Sequence, residues 1–579
     1  MFIPNQLAPG VYINVVFAPE PLIGLPEKYN ALFFIVAEKG PANKPVYITS
    51  AQRFLDTFGQ PDPKFPLTSL YAYEYVRNGG PAYVVRLLPR NATKANATLA
   101  LVPDPDDADT YVWAYGYVDY STNTFIGRDE INDRNVSLPV SATYAPPEPN
   151  KAVIIAQFGE YGMYYNTYRL RFSLPLLRTN KTFNVVIERV IGTQTENVAV
   201  FNNVTFEPNV NELGYPTQIN HTLYTFNQPA FEYLKTNYII KYKDYETNTI
   251  TDTNTRPIDS VDIVYSTNTI WNFAGGSDGG LRDPLTGLVN FSLFADLVVE
   301  AVYGYTTLLP NRIQGLIDDE TIFIKYIVDP CDERFPYTKR RSVWNALVDL
   351  AQSKYMLNAG AIVLSNIADL FDWTDIGLLD STNPPIPRHY LHATYYSKIE
   401  DVDGRIYPHL RYVVQNIARL RAQQQSIEPL AGVINATIPT GVDVIPRLTV
   451  PERSRLVELG INFAHKDPFY GVFTDLDRTT SLALGKFLYV IEDVVDIKRE
   501  LVKLLRPFVH KLETYDWESI KSLIIDFLLK PRVASGLIKE YEVNLRLSEE
   551  LTRQNVLGID MNLRYAREIE RIAVTIYVR

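Results

Sequence analysis

The run Ala31-Leu32-Phe33-Phe34-Ile35-Val36-Ala37 is apolar throughout, and the turn residues Glu38-Lys39-Gly40-Pro41 follow it directly. A short apolar run that ends at a turn signal predicts a β-strand. Downstream of it, strand and helix signals alternate, so residues 27 to 90 are interpreted as α/β. The predicted elements are the strand Pro45–Ile48, a helix capped by Thr49 or Ser50 that ends near Phe58-Gly59, the helix Leu67–Asn78 that ends at Gly79-Gly80, and the strand Ala82–Leu88.

The N-terminal segment predicts a detached strand. Pro9 and Gly10 give a turn signal. After this turn, apolar residues that share one face of a strand alternate with Tyr12, Asn14 and Val16; they are Val11, Ile13, Val15 and Phe17. The stretch from Pro19 to Pro26 is broken by prolines and should not form regular structure. The strand has little to pair with locally, so it must reach a sheet elsewhere.

The composition changes on the C-terminal side of residue 90. Between about 91 and 255, Asn, Thr, Asp, Tyr and Pro rise and helical periodicity disappears, which predicts a β-rich insertion. Its predicted strands are Tyr168–Phe172, Phe183–Arg189, Val198–Val204 and Tyr238–Tyr242. Residues 256 to about 449 return to α/β, with predicted helices Leu293–Tyr303, Arg341–Met356 and Arg411–Gln423 and predicted strands Thr321–Val328 and Ala361–Leu364.

The last stretch predicts two helices followed by strands. A helix over Leu482–Leu505 places its apolar residues on one face, and Asp516 caps a second amphipathic helix over 517–529. The polar residues of this pair of helices mix signs, which predicts packing on a sheet with some exposed charge left for a partner; they are Glu492, Asp493, Lys498, Arg499, Glu500 and Lys503. The strands are Tyr541–Leu547, Gly558–Tyr565 and a final strand whose shared face is Ile572, Val574, Ile576 and Val578.

The bulk composition bounds the class of protein. A chain of 579 residues predicts two to four domains, and 46% hydrophobic with 21% charged residues is ordinary globular composition. The net charge of -10 disfavours a nucleic-acid binder. Cys331 is the single cysteine, so no intrachain disulfide forms. No run is long enough to span a membrane and the N-terminus lacks an export signal, so we expect a soluble product made in a cytoplasm.

Four motifs contain residue types that can carry chemistry, but none of them predicts a catalytic, cofactor or metal site. His389 and His392 lack a third ligand and helical spacing for zinc. The glycines at 275–280 lack the Lys-Ser/Thr of a phosphate loop, which favours a tight turn. Cys331 has no recognisable base partner. The acidic loop Asp104–Asp109 lacks the glycine and final glutamate of a calcium loop. We therefore expect no enzyme and no cofactor.

The order of motifs along most of the chain resembles the contractile tail sheath family. The quoted motifs are Pro9-Gly10-Val11-Tyr12, Lys39-Gly40-Pro41, Val46-Tyr47-Ile48-Thr49-Ser50, Phe54 to Phe58-Gly59, Asn78-Gly79-Gly80-Pro81-Ala82-Tyr83-Val84-Val85-Arg86, Phe158-Gly159-Glu160-Tyr161-Gly162, Phe183 to Val186, Phe201 to Thr205, Gly275-Gly276-Ser277-Asp278-Gly279 and Leu459-Gly460-Ile461-Asn462. Two stretches depart from the family pattern: Val413–Leu430 is a polar helix in place of a loop, and Pro89–Ala152 has no match.

The resemblance implies a multidomain α+β and α/β fold with an inner α/β domain built from both chain ends. The implied parts are an N-terminal arm at 1–21, a middle domain at 22–90 and 256–449, a β-rich outer insertion at 91–255, and an inner C-terminal domain with a linking strand at 450–579. It also implies structural turns at Pro9, Gly10, Gly275, Gly276 and Gly279. Inter-subunit strand exchange would use Val11, Tyr12, Ile13, Val15, Phe17, Ile572, Val574, Ile576 and Val578.

The implied function is assembly. Copies of the chain would stack as hexameric rings into a helical sheath around a tail tube protein, with baseplate and tail terminator proteins as further partners and with neither nucleic acid nor membrane. The location would be the virion tail, after assembly in the host cytoplasm. Two alternatives stay open: the sheath of a non-phage extracellular contractile injection system, which the presence or absence of neighbouring capsid genes would separate, and a surface adhesin, which would need an export signal.

Overall fold

The computed structural model describes residues 29–129, 131–139, 154–174, 183–204, 218–219, 222–226, 228–265, 270–304, 316, 323–356, 361–367, 386–424, 426–481, 487–508, 517–546 and 558–566. These residues form a mixed α/β structure with several sheets. None of the helices in these ranges is both long enough and apolar enough to cross a membrane.

The strands are, in chain order, β1 Ala31–Ile35, β2 Val46–Ile48, β3 Ala82–Arg86, β4 Lys94–Asp104, β5 Asp107–Asp119, β6 Thr124–Asp129, β7 Arg134–Pro139, β8 Ile154–Tyr161, β9 Tyr168–Ser173, β10 Phe183–Ile191, β11 Gln194–Val204, β12 Gln218–Ile219, β13 Thr222–Phe226, β14 Ile239–Asp244, β15 Thr249–Asp252, β16 Ile270–Asn272, β17 Tyr326–Val328, β18 Ile362–Asn366, β19 His392–Tyr395, β20 Lys398–Asp401, β21 Ile406–Pro408, β22 Gly441–Ile445, β23 Ala464–Asp467, β24 Gly471–Thr474, β25 Ile538–Arg546 and β26 Gly558–Tyr565.

The helices are α1 Ala51–Phe58, α2 Leu67–Arg77, α3 Gln228–Asn237, α4 Ser260–Tyr265, α5 Phe291–Tyr303, α6 Tyr337–Met356, α7 His409–Ile417, α8 Gly432–Asn435, α9 Val450–Leu459, α10 Leu488–Leu505, α11 Trp517–Leu523 and α12 Lys530–Ala534. π-helical turns extend α7 over Ala418–Gln423 and join α11 to α12 over Ile524–Leu529. Short 3₁₀ segments lie at Met163–Thr167 and Arg506–Phe508.

The central sheet joins segments from both sides of the insertion. Its strand order is β19-β18-β17-β1-β3-β2, and β1 runs parallel to both β3 and β17, with Phe33 opposite Val84 and Val328. All five residues of β1 are buried, as a continuous apolar run in a parallel sheet requires. Helix α2 is tied to β1 by two hydroxyls: Thr68 donates to the Phe34 carbonyl and Ser69 to the Val36 carbonyl, each at 2.8 Å.

The elements predicted around β1 are confirmed. Ser50 caps α1 by accepting a hydrogen bond from the Arg53 amide at 3.3 Å, and Gly59 ends this helix. The predicted strands and helices of residues 256 to 449 are also present with small shifts in their bounds. The strand predicted over Thr321–Val328 is shorter, because only Tyr326–Val328 is paired with neighbouring strands among the residues described there.

The insertion consists of two sheets that share a hydrophobic core. One has the order β12-β13-β8-β4-β5-β14-β15, with β6 and β7 added to β5, and the other has the order β11-β10-β9-β16. The four strands predicted here are confirmed as β9, β10, β11 and β14. The expected lack of helices is wrong, because α3 forms in a polar stretch where Phe231, Tyr233 and Leu234 pack on the core. Trp271 and Phe273 belong to the same core, so the insertion continues past residue 255.

A buried arginine fastens the insertion to the central sheet. Arg86, at the end of β3, has no exposed surface and donates to the carbonyls of Gly40 at 2.8 Å and Tyr161 at 3.0 Å. Its guanidinium also lies 3.6 Å from the buried carboxylate of Asp278, which forms a second ion pair with Arg282. The segment that leads from the central sheet into the insertion and the segment that leads back therefore meet at the charges of Arg86, Asp278 and Arg282.

The predicted glycine turn holds Asp278 in this position. Gly275 and Gly279 have φ angles of 75° and 63°, in the left-handed region that glycine adopts without strain. At Gly276 a Cβ atom would lie 2.6 Å from the Gly162 carbonyl oxygen, so a side chain does not fit there. The turn brings the chain back from the insertion and directs Asp278 toward Arg86.

Helix α10 differs from its prediction in one respect. Its apolar residues pack against the central sheet, but less charge is exposed than expected, because most of its polar residues are also buried. Four of them, Glu492, Asp493, Lys498 and Arg499, are at most 7% exposed, whereas Lys503 is exposed. Leu488 and Val495 widen the apolar side of the helix, but most of its charged residues still share the opposite side, so their burial comes from packing against distant parts of the chain and not from the helical pattern.

We predict that Asp278→Asn lowers the free energy of unfolding by about 3 kcal/mol, because it leaves Arg86 buried without its anionic partner. The measurement is chemical denaturation followed by fluorescence and circular dichroism. Asp133→Asn is the matched control, because the pair of Asp133 with Arg128 is exposed and should contribute less than about 1 kcal/mol. Equal effects of the two substitutions would contradict the assigned role of Asp278.

Candidate interface: the C-terminal hairpin

Strands β25 and β26 form an antiparallel pair near the C-terminal end of the described chain. The register pairs Tyr541 with Leu563, Val543 with Met561 and Leu545 with Ile559. A register shift near Ile538 marks an irregularity at the end of the pair next to α12. Both strands were predicted from sequence, and the bounds of β26 agree with the prediction at both ends.

One face of this hairpin is apolar and packs on the protein. Val543 is 3% exposed, and the ends of the pair are closed by Ile538 and Tyr565, at 2% and 1%. The half-buried members of this face are Tyr541, Ile559, Met561 and Leu563, all packed against the core that includes α10. A two-stranded sheet is at best marginally stable alone. Its packing on the helices therefore maintains the hairpin.

The opposite face carries a polar ladder. Arg564 pairs with Glu540 at 3.0 Å, the Asn562 amide donates to Glu542 at 3.1 Å, and Arg546 forms an ion pair with Asp560. Exposed pairs of this kind contribute little to stability, because solvent screens them. They set the cross-strand register and keep this face hydrated, so the hairpin presents one apolar and one polar face.

Both outer edges of the hairpin lack a strand partner among the residues that the structure describes. Among these residues β25 pairs only with β26, and no other described strand is hydrogen-bonded to the outer side of either strand. An edge strand in this state is a template for an added strand. The hairpin is therefore one of the places where the geometry permits strand addition.

The terminal residues predicted to exchange lie outside the described residues, so their role stays a prediction. They are Pro9, Gly10, Val11, Tyr12, Ile13, Val15 and Phe17 at one end and Ile572, Val574, Ile576 and Val578 at the other.

His389 and His392, the two candidate zinc ligands, form hydrogen bonds with other residues of the protein. His392 is fully buried, with its Nε2 2.8 Å from the Ser365 hydroxyl and its Nδ1 2.9 Å from the Pro387 carbonyl. The Nε2 atom of His389 lies 2.8 Å from the Gln352 amide. No group of three His, Cys, Asp or Glu side chains that could hold a metal is found among the described residues.

Cys331 and the acidic loop Asp104–Asp109 also have surroundings that explain them structurally. Burial raises the pKa of the Cys331 thiol well above its ordinary value, so the thiol is held in its neutral form. Asp104, in the acidic loop, pairs with Lys241 at 2.6 Å across the insertion sheet. Burial of the Cys331 thiol and the ion pair of Asp104 therefore give these two side chains structural roles.

Comparison with known proteins identifies the class of fold. No protein-family model matches the chain, and no curated protein matches its sequence. The sheath tail protein of Listeria innocua matches over 95% of this chain and 96% of its own, at 10% identity and a TM-score of 0.50. The chain therefore has the fold of a tail sheath protein, and the resemblance is confirmed at the level of fold.

Two further solved structures are similar over their whole lengths. The sheath tail protein of Desulfitobacterium hafniense covers 93% of each chain at 11% identity and a TM-score of 0.48. The contracted helical sheath of the anti-feeding prophage covers 99% of each chain at 11% identity and a TM-score of 0.44.

We predict that the protein loses stability as the pH falls from about 6.5 toward 4. Burial lowers the pKa of His392 to about 4 and of His409 to about 3, so the folded state holds both rings neutral. The unfolded chain binds protons from about pH 6.5 downward, and this uptake favours unfolding. The stabilising contribution of the neutral rings is therefore complete above pH 6.5 and declines below it.

The measurement is the melting temperature between about pH 7 and pH 4.5. His392→Gln should reduce the slope of melting temperature against pH, whatever its effect on stability at neutral pH. His465→Gln is the control, because its ring is half-buried and should contribute a smaller slope. An unchanged slope in His392→Gln would show that His392 does not remain neutral in the fold.

Proposed function

We propose that this chain is the structural subunit of a contractile tail sheath. In this function, copies polymerise around a tail tube by exchanging their terminal strands, and the polymer contracts to drive the tube through a host envelope. The proposal rests on the sheath fold and on the C-terminal hairpin.

The two-faced hairpin is the single observation that carries the proposal. Its apolar face is packed on the core, its polar face is hydrated, and its outer edges have no strand partner among the described residues. Main-chain hydrogen bonds to an added strand supply affinity, and alternating side chains supply specificity. A strand with a period of two can extend both faces of the hairpin at once.

Both chain ends have the pattern that such an edge accepts. In the N-terminal segment Val11, Ile13 and Val15 share one face, and in the C-terminal segment Ile572, Val574 and Ile576 do so. Each set can continue the apolar face, while residues between them, such as Asn14 and Thr575, continue the polar face. We infer that one strand comes from each of two neighbouring copies.

Strand exchange of this kind is head-to-tail. The donor surface is a terminal strand and the acceptor surface is the hairpin, so the contact is heterologous and builds rings or open helices instead of closed dimers. Stacked six-fold rings around a tube satisfy this geometry. The tail tube, baseplate and tail terminator proteins would be its partners, and the tail of a virion its location.

Contraction follows from the same connections. The exchanged strands act as tethers on either side of each subunit, so the bodies can slide and rotate into a tighter packing while the polymer stays connected. The extended sheath is then a kinetically trapped state whose energy is stored during assembly. The insertion would project outward from the sheath and adjust its surface contacts.

We predict that the purified full-length chain forms striated tubes or rings that are visible by negative-stain electron microscopy. Deleting residues 1–17 or 570–579 should abolish them, because each deletion removes one donor strand. Circular dichroism and melting temperature of the truncated chains report whether the monomer still folds.

The control is Val200→Asn, which replaces an exposed side chain in the insertion and should leave polymerisation unchanged. If both truncated chains polymerise normally, strand exchange is wrong. If the full-length chain remains monomeric at every concentration and salt condition, the sheath function itself is contradicted.

A further inference from the structure

Two cations lie close to one aromatic ring where the insertion meets the central sheet. Lys39 belongs to the turn that follows β1, and Arg189 lies in β10 of the insertion. The Lys39 ammonium is 6.0 Å from the centre of the Tyr164 ring, and the Arg189 guanidinium is 4.8 Å from the same centre. All three residues are half-buried, so a small solute can still reach them.

The backbone on either side of Lys39 is held in place. Arg86 donates to the Gly40 carbonyl at 2.8 Å and to the Glu38 carbonyl at 3.5 Å. The Gly40 amide also donates to the Tyr165 hydroxyl in the insertion at 3.2 Å. The buried arginine that joins the insertion to the central sheet therefore also keeps the backbone of Lys39 beside the insertion.

Neither cation has an anionic partner among the residues that the structure describes. Within them, Lys39 and Arg189 form no ion pair, and the Nε atom of Arg189 is buried without a hydrogen-bond acceptor. Glu196 is the partner of Arg189 in the register of β10 and β11, but it forms no ion pair with it. Glu38, Asp56 and Glu196 act on Lys39 only through their electrostatic field.

The arrangement places like charges together at a cost. Burial and, after it, the charge of Arg189 lower the pKa of Lys39. The negative face of the Tyr164 ring attracts each cation, but the ring has no net charge and cannot neutralise the pair. An anion between the two side chains would remove their repulsion and offer an acceptor to the guanidinium.

We propose that Lys39 and Arg189 form a binding site for a small oxyanion such as phosphate. A guanidinium donates two parallel hydrogen bonds to an oxyanion, and an ammonium adds a compact positive charge. The bound oxyanion would bridge the turn after β1 and strand β10, and it would join the insertion to the central sheet at a second point beside Arg86. All the groups of the site come from one copy of the chain, so the site is independent of the proposed sheath function.

The test is a calorimetric titration of the unassembled full-length chain with inorganic phosphate. Melting temperatures are measured in parallel, in phosphate and in chloride at equal ionic strength. We expect phosphate to raise the melting temperature of the wild type, because a ligand that binds only the folded state stabilises it. Arg189→Gln should weaken phosphate binding at least about tenfold, because it removes the bidentate donor.

Lys39→Met is the second variant, and its two expected effects have opposite signs. Methionine keeps an unbranched apolar side chain but removes one of the two repelling charges, so the melting temperature without phosphate should rise. The additional rise in phosphate should be lost. The matched control is Lys235→Met, because Lys235 also lies near a ring, 5.8 Å from the centre of Phe231, but pairs with Glu232 at 3.8 Å. Its phosphate response should equal that of the wild type.

Three results would overturn the site. The first is a wild type that responds to phosphate and to chloride alike. The second is an equal phosphate response in the wild type and in Arg189→Gln, because the stabilisation would then be a general effect of the salt. The third is a lower melting temperature of Lys39→Met without phosphate, which would show that Lys39 is not repelled there. A wild type that forms no tubes would contradict the sheath function only, since the titration uses single copies.

Discussion

The ion pairs along one side of helix α10 are the contacts on which the rest of the arrangement depends. Glu492 and Asp496 join the helix to β17 and to Arg421, and Asp493 joins it to Arg532 and the end of β26. Leaving one member of such a pair buried alone is strongly unfavourable, so the central sheet and the hairpin are restricted to one arrangement. The hairpin could not otherwise keep its edges in a fixed direction, because two strands alone have little stability.

A second set of buried charges plays a similar part at the insertion. Arg86 donates hydrogen bonds to the carbonyls of Gly40 and Tyr161 and forms an ion pair with Asp278, so both chain crossings are held at the end of β3. The same principle therefore operates at two places. Hydrophobic packing stabilises the central sheet, the hairpin and the insertion, and buried charges fix how these parts are oriented on one another.

Sequence reasoning located most elements but missed the residues that orient them. The glycine turn at 275–279 was recognised, whereas its functional member, Asp278, was not, because pairing with Arg86 joins positions far apart in the chain. Some charge on α10 was expected to be exposed, but most of its polar residues are buried. An amphipathic pattern does not predict this, because burial of the charged side requires cations from distant parts of the chain. Helix α3 was missed because a short helix with few residues on the core has too weak a periodic signal to detect.

The sequence by itself determined the identity and order of the strands and helices around Ala31–Ile35, the β-rich character of the insertion, and the alternating patterns at both chain ends. These are local properties, set by turn residues, caps and the period of apolar side chains. Only the tertiary structure decided that β17 lies beside β1, that α10 is buried with its charges, and that β25 and β26 form a hairpin with an apolar and a polar face. Such contacts join residues distant in the chain, and their energies depend on desolvation and on partners that no local pattern specifies.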